Sequence, residues 1–112
     1  MSKTSTLPTP GQPAPNLDLE LIIGAKWELS EQSPDAFTMI VFYRGLHCPI
    51  CREYLNDLHR LYDDFLSKGV EVINVSMDDK DRATQSHKDW DLDPIPMGFG
   101  LTKSQARDWG LY

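Results

Sequence analysis

The chain has 112 residues and a formal net charge of −6, because seventeen acidic side chains outnumber eleven lysines and arginines. That length fits one domain, and 40% hydrophobic with 25% charged residues is an ordinary globular composition. The acidic balance provides no basic surface for nucleic acid or anionic lipid. The longest apolar run, residues 37–43, is far shorter than the roughly 20 residues of a membrane-spanning helix. We therefore expect neither nucleic acid nor a membrane as a partner.

Proline content divides the chain into two parts. Four of the eight prolines lie within the first fifteen residues, where they oppose both helix and central strand. We interpret residues 1–15 as an extended, Pro-rich N-terminal arm and residues 16–112 as the folded domain. Because the arm has no apolar segment typical of a secretory signal, we expect a cytoplasmic protein.

Two strand patterns precede the middle of the chain. Residues 17–21 alternate between leucine and acidic side chains, the period of two that marks a half-buried strand. Gly24 then separates this strand from a second one over residues 25–29, which predicts an edge hairpin. Residues 37–43 form a nearly continuous β-branched and aromatic run, which is typical of a strand buried on both faces.

A helical pattern follows this strand. Apolar residues recur at spacings of three and four from residue 50 to residue 66, which predicts an amphipathic helix. Pro49 is suited to its first turn and Gly69 to its end. Residues 70–75 predict a second buried strand. Strand, helix and strand in about forty residues is a βαβ unit, so the two strands should be parallel.

Two shorter helices complete the predicted elements. Asp78 or Asp79 can cap a helix that runs to about Trp90, and we expect the charged residues 78–82 to form a solvated helix start. A last helix is indicated by Thr102 and Gln105, which have the spacing of a capping box.

The only two cysteines, Cys48 and Cys51, lie where the predicted strand turns into the long helix. Free N–H groups and the positive end of the helix dipole stabilise a thiolate there. Arg44 and Arg52 are close enough in sequence to add positive charge, so the pKa of Cys48 should be lowered. A close cysteine pair in a reducing compartment is more often catalytic or metal-binding than a structural disulfide.

This arrangement predicts thiol-disulfide chemistry. The Cys48 thiolate attacks a disulfide, a mixed disulfide forms, and Cys51 resolves it. His47 is a conceivable base for Cys48, but adjacent side chains rarely point the same way, and a solvent-facing histidine that tunes the local potential is at least as plausible. Arg44, His47 and Arg52 are therefore the supporting residues of the predicted site.

Other interpretations of the cysteines have less support. A zinc site would use both cysteines with His47 and His59, but a structural site needs a second ligand pair at a distance. We therefore expect no metal and no cofactor, and we assign no role to His59 or His87. The alternative from another class is a non-catalytic module in which the dithiol is a redox switch or a metal clip, or merely packs. The tryptophans are interpreted as packing residues.

Several segments resemble the peroxiredoxin-like branch of the alkyl hydroperoxide reductase and thiol-specific antioxidant (AhpC/TSA) family. Residues 11–19 resemble the family's entry signature, residues 24–30 its second short strand, and residues 74–78 a core strand. The resemblance implies an α/β thioredoxin-like fold. It also implies an antioxidant oxidoreductase that acts on a disulfide or hydroperoxide substrate and uses a thiol electron donor.

The chain departs from this family's pattern around the cysteines. After the aromatic strand end, the family has proline, three residues, threonine, two residues and the peroxidatic cysteine. The same spacing here gives Arg44, Cys48 and Cys51 at those three positions. The family's threonine helps to hold peroxide, so its replacement by Cys48 favours disulfide exchange. The alternative is a thiol peroxidase in which Cys51 attacks the hydroperoxide and Cys48 resolves it.

The resemblance also implies that the domain is incomplete. A thioredoxin fold continues with a cis-proline, an antiparallel hairpin and a closing helix, and the family's activating arginine lies in that part. We expect either a longer chain or a partner that completes the sheet. An exposed strand edge favours self-association, so a homodimer is one expected state.

Overall fold

The structure is a computed structural model that describes residues 10–111, and it contains a mixed five-stranded sheet of order β2-β1-β5-β4-β3. Most of the N-terminal arm, residues 1–9, lies outside the described residues. The strands are β1 (Asp18–Leu21), β2 (Lys26–Glu28), β3 (Phe37–Phe42), β4 (Val70–Val75) and β5 (Met97–Phe99), and the helices are α1 (Pro49–Ser67), α2 (Lys80–Asp89) and α3 (Lys103–Asp108).

The N-terminal hairpin is confirmed. Strands β1 and β2 pair antiparallel, with Leu19 opposite Trp27, and both side chains are buried. The two-residue alternation of β1 is visible as exposed Asp18 and Glu20 between buried leucines. Strand β1 also pairs antiparallel with β5, so only β2 forms this edge of the sheet.

The βαβ unit is also confirmed. Strands β3 and β4 are parallel, with Phe37 opposite Val70 and Phe42 opposite Val75. Helix α1 has proline at its start, and Gly69 follows its end with a φ of +80°. A Cβ at Gly69 would approach the Cβ of Asp35 to 2.8 Å, so glycine is needed there for both conformation and space.

The prediction that β3 is buried on both faces is wrong. Its side chains are half-buried, and Phe37 is 70% exposed. Residues of β3 do alternate between two apolar clusters, since Val41 packs on the side of α1 while Phe42 packs against Trp109. However, β3 is the last strand of the described sheet, and an edge strand has neighbours on one side only.

The sequence pattern did not predict β5. This strand has three residues, includes Gly98, and follows Pro96, so no alternation can develop. It forms because β1 and β4 bind it from both sides. A cis peptide bond joins Asp93 to Pro94 in the connection from α2 to β5.

Both short helices begin at the capping residues that the sequence predicts, but the residue before the first of them is not solvated as expected. The Asp79 side chain accepts a hydrogen bond from the Arg82 N–H at 2.9 Å. Thr102 and Gln105 form a complete capping box. The prediction of a solvated start at residues 78–82 is wrong for Asp78, whose side chain is only 9% exposed because it turns toward the loop before α1.

Helices cover both faces of the sheet. Leu55 of α1 and Ala83 of α2 pack with Met97 in one cluster, whereas Ala106 of α3 packs with Val75 in another. Complete burial of Leu55 contributes about 1.5–3 kcal/mol to folding. Among residues 10–111, none of the helices combines the length and hydropathy of a membrane span.

Asn74 is a polar residue in the centre of this core. Its side chain is 0% exposed, and neither its amide nitrogen nor its oxygen has a hydrogen-bond partner among the described residues. Burial of an unpaired amide is unfavourable. We expect Asn74→Val to raise the free energy of unfolding by about 1–3 kcal/mol. Urea unfolding tests this, and an unchanged or lower midpoint would contradict it.

Candidate active site

Cys48 occupies the N-cap of α1. Its backbone is extended, with φ −105° and ψ 102°, and its sulfur accepts a hydrogen bond from the Cys51 N–H at 3.3 Å. The N-cap is the position whose side chain accepts hydrogen bonds from the free N–H groups of the first helical turn. Pro49 fixes the start of the helix immediately after it. The predicted placement of Cys48 and Cys51 at the helix start is therefore confirmed.

The surroundings of Cys48 lower the pKa of its thiol. The largest cause is a hydrogen bond from the Cys51 side chain, and the burial of Cys48 opposes it. Smaller lowering contributions come from the Cys51 N–H, the positive charge of Arg44 and the Ile50 N–H. The hydrogen bonds and the Arg44 charge favour the thiolate form of Cys48, whereas burial disfavours it. The arrangement therefore increases the thiolate fraction, which is the nucleophilic form.

Cys51 lies one turn further into the helix and receives two hydrogen bonds of its own. Its sulfur accepts from the Arg44 N–H at 3.4 Å and from the Tyr54 hydroxyl at 3.7 Å. The same hydroxyl donates to the Phe42 carbonyl oxygen at 3.2 Å, so its single proton is shared between that oxygen and the Cys51 sulfur. Burial, followed by the hydrogen bond with Cys51, raises the pKa of Tyr54. Tyr54 therefore keeps its proton at neutral pH and can act as a donor to the Cys51 sulfur.

The three predicted supporting residues differ in their contribution. Arg44 acts on both sulfurs, on Cys51 through its backbone N–H and on Cys48 through its charge. His47 and Arg52 are exposed, and neither is among the principal causes that lower the pKa of Cys48. The structure thus brings the Arg44 backbone onto Cys51 and leaves the side chains of His47 and Arg52 exposed to solvent.

The remaining histidines bind backbone carbonyls. The His59 Nε2 lies 2.7 Å from the Asp93 oxygen, and the His87 Nε2 lies 3.1 Å from the Ile95 oxygen. In the described part of the chain, no three histidine, cysteine or acidic side chains cluster as metal ligands would. The three tryptophans pack as predicted, with two buried and one half-buried: Trp27, Trp90 and Trp109.

An apolar cleft lies beside both sulfurs. Cys48 is 6% and Cys51 is 3% exposed, and both contribute to the wall of a cleft of about 650 Å³. Most of the wall is aliphatic or aromatic, and Arg44 adds a cation. The apolar lining includes Phe42, Ile50, Val75, Met77, Leu101 and Leu111. The two cysteines are therefore almost fully buried at the wall of an apolar cleft.

Sequence reasoning missed two residues that touch this site. The sequence pattern places Tyr54 in the apolar stripe of α1, although a residue three positions after Cys51 on a helix also lies beside that cysteine. Asp78 belongs to the predicted solvated charge run, but its carboxylate accepts the Leu46 N–H at 2.8 Å. No local signal identifies that contact, because it joins residues 32 positions apart.

Known proteins with similar sequences include 1-Cys peroxiredoxins. A 1-Cys peroxiredoxin, PER1, from Arabidopsis thaliana is 31% identical over 82 residues, which cover 73% of this chain and 36% of that protein. The 1-Cys peroxiredoxin A of Oryza sativa subsp. japonica is 31% identical over 96 residues, 84% of this chain and 41% of that protein. The chain thus spans well under half the length of these curated relatives.

Solved structures share the fold. The peroxidoxin BcpB of Mycobacterium tuberculosis superposes with a TM-score of 0.76 at 17% identity, covering 89% of this chain and 64% of that one. The thioredoxin domain of a Bacteroides vulgatus thiol-disulfide oxidoreductase gives 0.71 at 20% identity, covering 88% and 68%. The fold is therefore thioredoxin-like, as predicted. The model of the AhpC/TSA family matches residues 10–112, and the chain belongs to that family.

Proposed function

We propose that this chain is a thiol-disulfide redox protein that cycles Cys48 and Cys51 between dithiol and disulfide. The observation that carries the proposal is the Cys48 sulfur at the N-cap of α1, where it accepts the Cys51 N–H. Membership of a peroxiredoxin-containing family supports thiol-dependent oxidoreductase chemistry. The replacement of that family's threonine by Cys48 supports disulfide exchange within it.

The reaction balances in two steps. The Cys48 thiolate attacks one sulfur of a substrate disulfide, and the other substrate sulfur leaves as a thiolate. Cys51 then loses its proton and attacks the Cys48 sulfur, which releases the second substrate thiolate. The substrate gains two electrons, and the protein is left with a Cys48–Cys51 disulfide. Two thiols of an external donor regenerate the dithiol and become a disulfide themselves.

The cleft supports a substrate with an apolar body. Its wall is largely aliphatic beside buried sulfurs, so an apolar disulfide gains burial free energy that a small polar one does not. A donor from the reducing thiol pool suits such a cycle, and we place the protein in the cytoplasm, where that pool is maintained. Fluorescence microscopy of the tagged protein would test that location.

Equilibration with a glutathione redox buffer tests the proposed function directly. The reduced chain is held at several ratios of reduced to oxidised glutathione, acid-quenched, and analysed by intact mass and peptide mapping. We expect a reversible Cys48–Cys51 disulfide whose population follows the ratio. A chain that shows only free or singly glutathionylated thiols at every ratio would contradict the proposal.

The second candidate function is reduction of hydroperoxides by Cys51. Its sulfur occupies the family's peroxidatic position and accepts hydrogen bonds from Arg44 and Tyr54. Sulfenic acid on Cys51 of a Cys48→Ser variant after peroxide treatment would support this reaction. Unreacted Cys51 in the same variant would exclude it.

The free edge of β3 supports self-association. In the part of the chain that the structure describes, β3 pairs with β4 alone, which leaves one row of its backbone groups open to another strand. We assign this edge to a homodimer contact. Sedimentation velocity should then show a dimer that Ile40→Pro disrupts, whereas a monomer at all concentrations would contradict the assignment.

A further inference from the structure

The turn before Cys48 contacts a carboxylate from another strand end. The Leu46 N–H donates to the Asp78 Oδ2 at 2.8 Å. Gly45 packs directly on the same carboxylate, since a Cβ at Gly45 would lie 2.7 and 2.9 Å from its two oxygens. The Gly45 carbonyl in turn accepts the Cys48 N–H at 3.1 Å. Asp78 and Cys48 are thus linked through two residues of backbone.

Asp78 is itself held rigidly. Its N–H donates to the Ser76 hydroxyl at 3.3 Å, and its carbonyl accepts the Gly100 N–H at 2.8 Å. Ser76 is 1% exposed and Asp78 is 9% exposed. The carboxylate is therefore fixed to the ends of β4 and β5, and it connects the sheet to the loop that carries the nucleophile.

We propose that Asp78 is a positioning residue that holds the Gly45–Leu46 turn so that the Cys48 sulfur stays on the N–H groups of α1. The proposal concerns the site of the proposed function and rests on it for its biological meaning. Asp78 acts through the backbone of the turn, and its useful property is the oxygen acceptor rather than the charge.

The direction in which Cys48 reactivity changes when Asp78 is replaced distinguishes a positioning role from a purely electrostatic one. A carboxylate near a thiolate disfavours the thiolate, so loss of the charge alone would make Cys48 more reactive. Loss of the anchor makes Cys48 less reactive, because the sulfur is no longer kept on the helix N-terminus. A merely structural residue would lower the stability of the fold without changing Cys48 reactivity in the folded protein.

The test is the iodoacetamide alkylation rate of Cys48, measured by peptide mass mapping against pH in the reduced full chain. We expect Asp78→Ala to move the pH–rate profile of Cys48 up by about one unit, which slows the reaction about tenfold at a pH well below the wild-type pKa. Asp78→Asn keeps an oxygen that can accept the Leu46 N–H and should stay within about threefold of the wild type. Asp81→Ala, which removes an exposed carboxylate nearby, is the matched control and should not change the rate.

Gly45→Ala gives an independent test if Asp78→Ala does not fold. Its Cβ would meet both oxygens of the Asp78 carboxylate and would also strain the turn, because Gly45 has a φ of +140°. The variant should therefore also slow Cys48. If both single variants fold, the double variant should be slowed by less than the two separate reductions combined, because both disrupt one contact. An Asp78→Ala rate that is unchanged or faster, or an Asp78→Asn rate as slow as Asp78→Ala, would overturn the proposal. Alkylation needs no turnover, so this outcome is separate from failure of the proposed function.

Discussion

Replacing Cys48 with serine is expected to reduce dithiol turnover to the rate of the protein-free reaction. A serine hydroxyl is not ionised at neutral pH and cannot attack a disulfide, so the first step of the cycle is lost. The measurement is steady-state reduction of an aromatic disulfide with a dithiol donor. Circular dichroism of the variant should match that of the wild type, because the serine oxygen is also a good N-cap acceptor.

The choice of nucleophile depends on this result. Cys48→Ser turnover equal to that of the wild type would assign the first attack to Cys51. Retained turnover would also mean that the hydrogen bond from the Cys51 N–H to the Cys48 sulfur does not create the attacking thiolate.

Replacing Cys51 with serine is expected to give the opposite kinetic pattern, a rapid first step followed by arrest. Cys48 still forms the mixed disulfide, because the serine hydroxyl can donate to its sulfur in place of the Cys51 thiol. The intramolecular thiol that resolves the mixed disulfide is absent. The mixed disulfide should persist on the order of a hundredfold longer, because an external thiol lacks the proximity of a residue on the next helical turn. Acid-quenched intact mass detects it as a covalent adduct on Cys48.

The wild type is the control for the arrest expected in Cys51→Ser. The wild type, treated in the same way, should show the internal disulfide and little adduct. An adduct that clears equally fast in both proteins would mean that Cys51 is not the resolving thiol. An absent adduct in Cys51→Ser would mean that Cys48 requires the Cys51 thiol hydrogen bond to become reactive.

The sequence was sufficient for those features that local chemistry determines. The N-cap placement of Cys48 follows from Pro49 and the helical stripe behind it, and the capping box at Thr102 was predicted from the residue types at the N-cap and N3 positions. The hairpin follows from the alternation in β1. Each of these depends on neighbours within about four residues.

The remaining features depend on contacts between distant segments. Strand β5 exists because two strands bind it, and its three residues carry no pattern. The apolar content of β3 predicts burial on both faces. In the described sheet β3 lies at the edge and pairs with β4 alone, and its own sequence does not show this. Asp78 belongs to a charge-rich stretch, and only the folded loop makes it an acceptor for Leu46. Sequence patterns alone do not encode such pairings.

The reactivity of Cys48 as a thiolate is the central claim, and its titration tests that claim most directly. Alkylation of the reduced wild type, followed across pH and resolved by peptide, gives the pKa of each thiol separately. We predict that Cys48 titrates clearly below the value of about 8.5 for an ordinary thiol. A Cys48 pKa at or above that value would contradict the account.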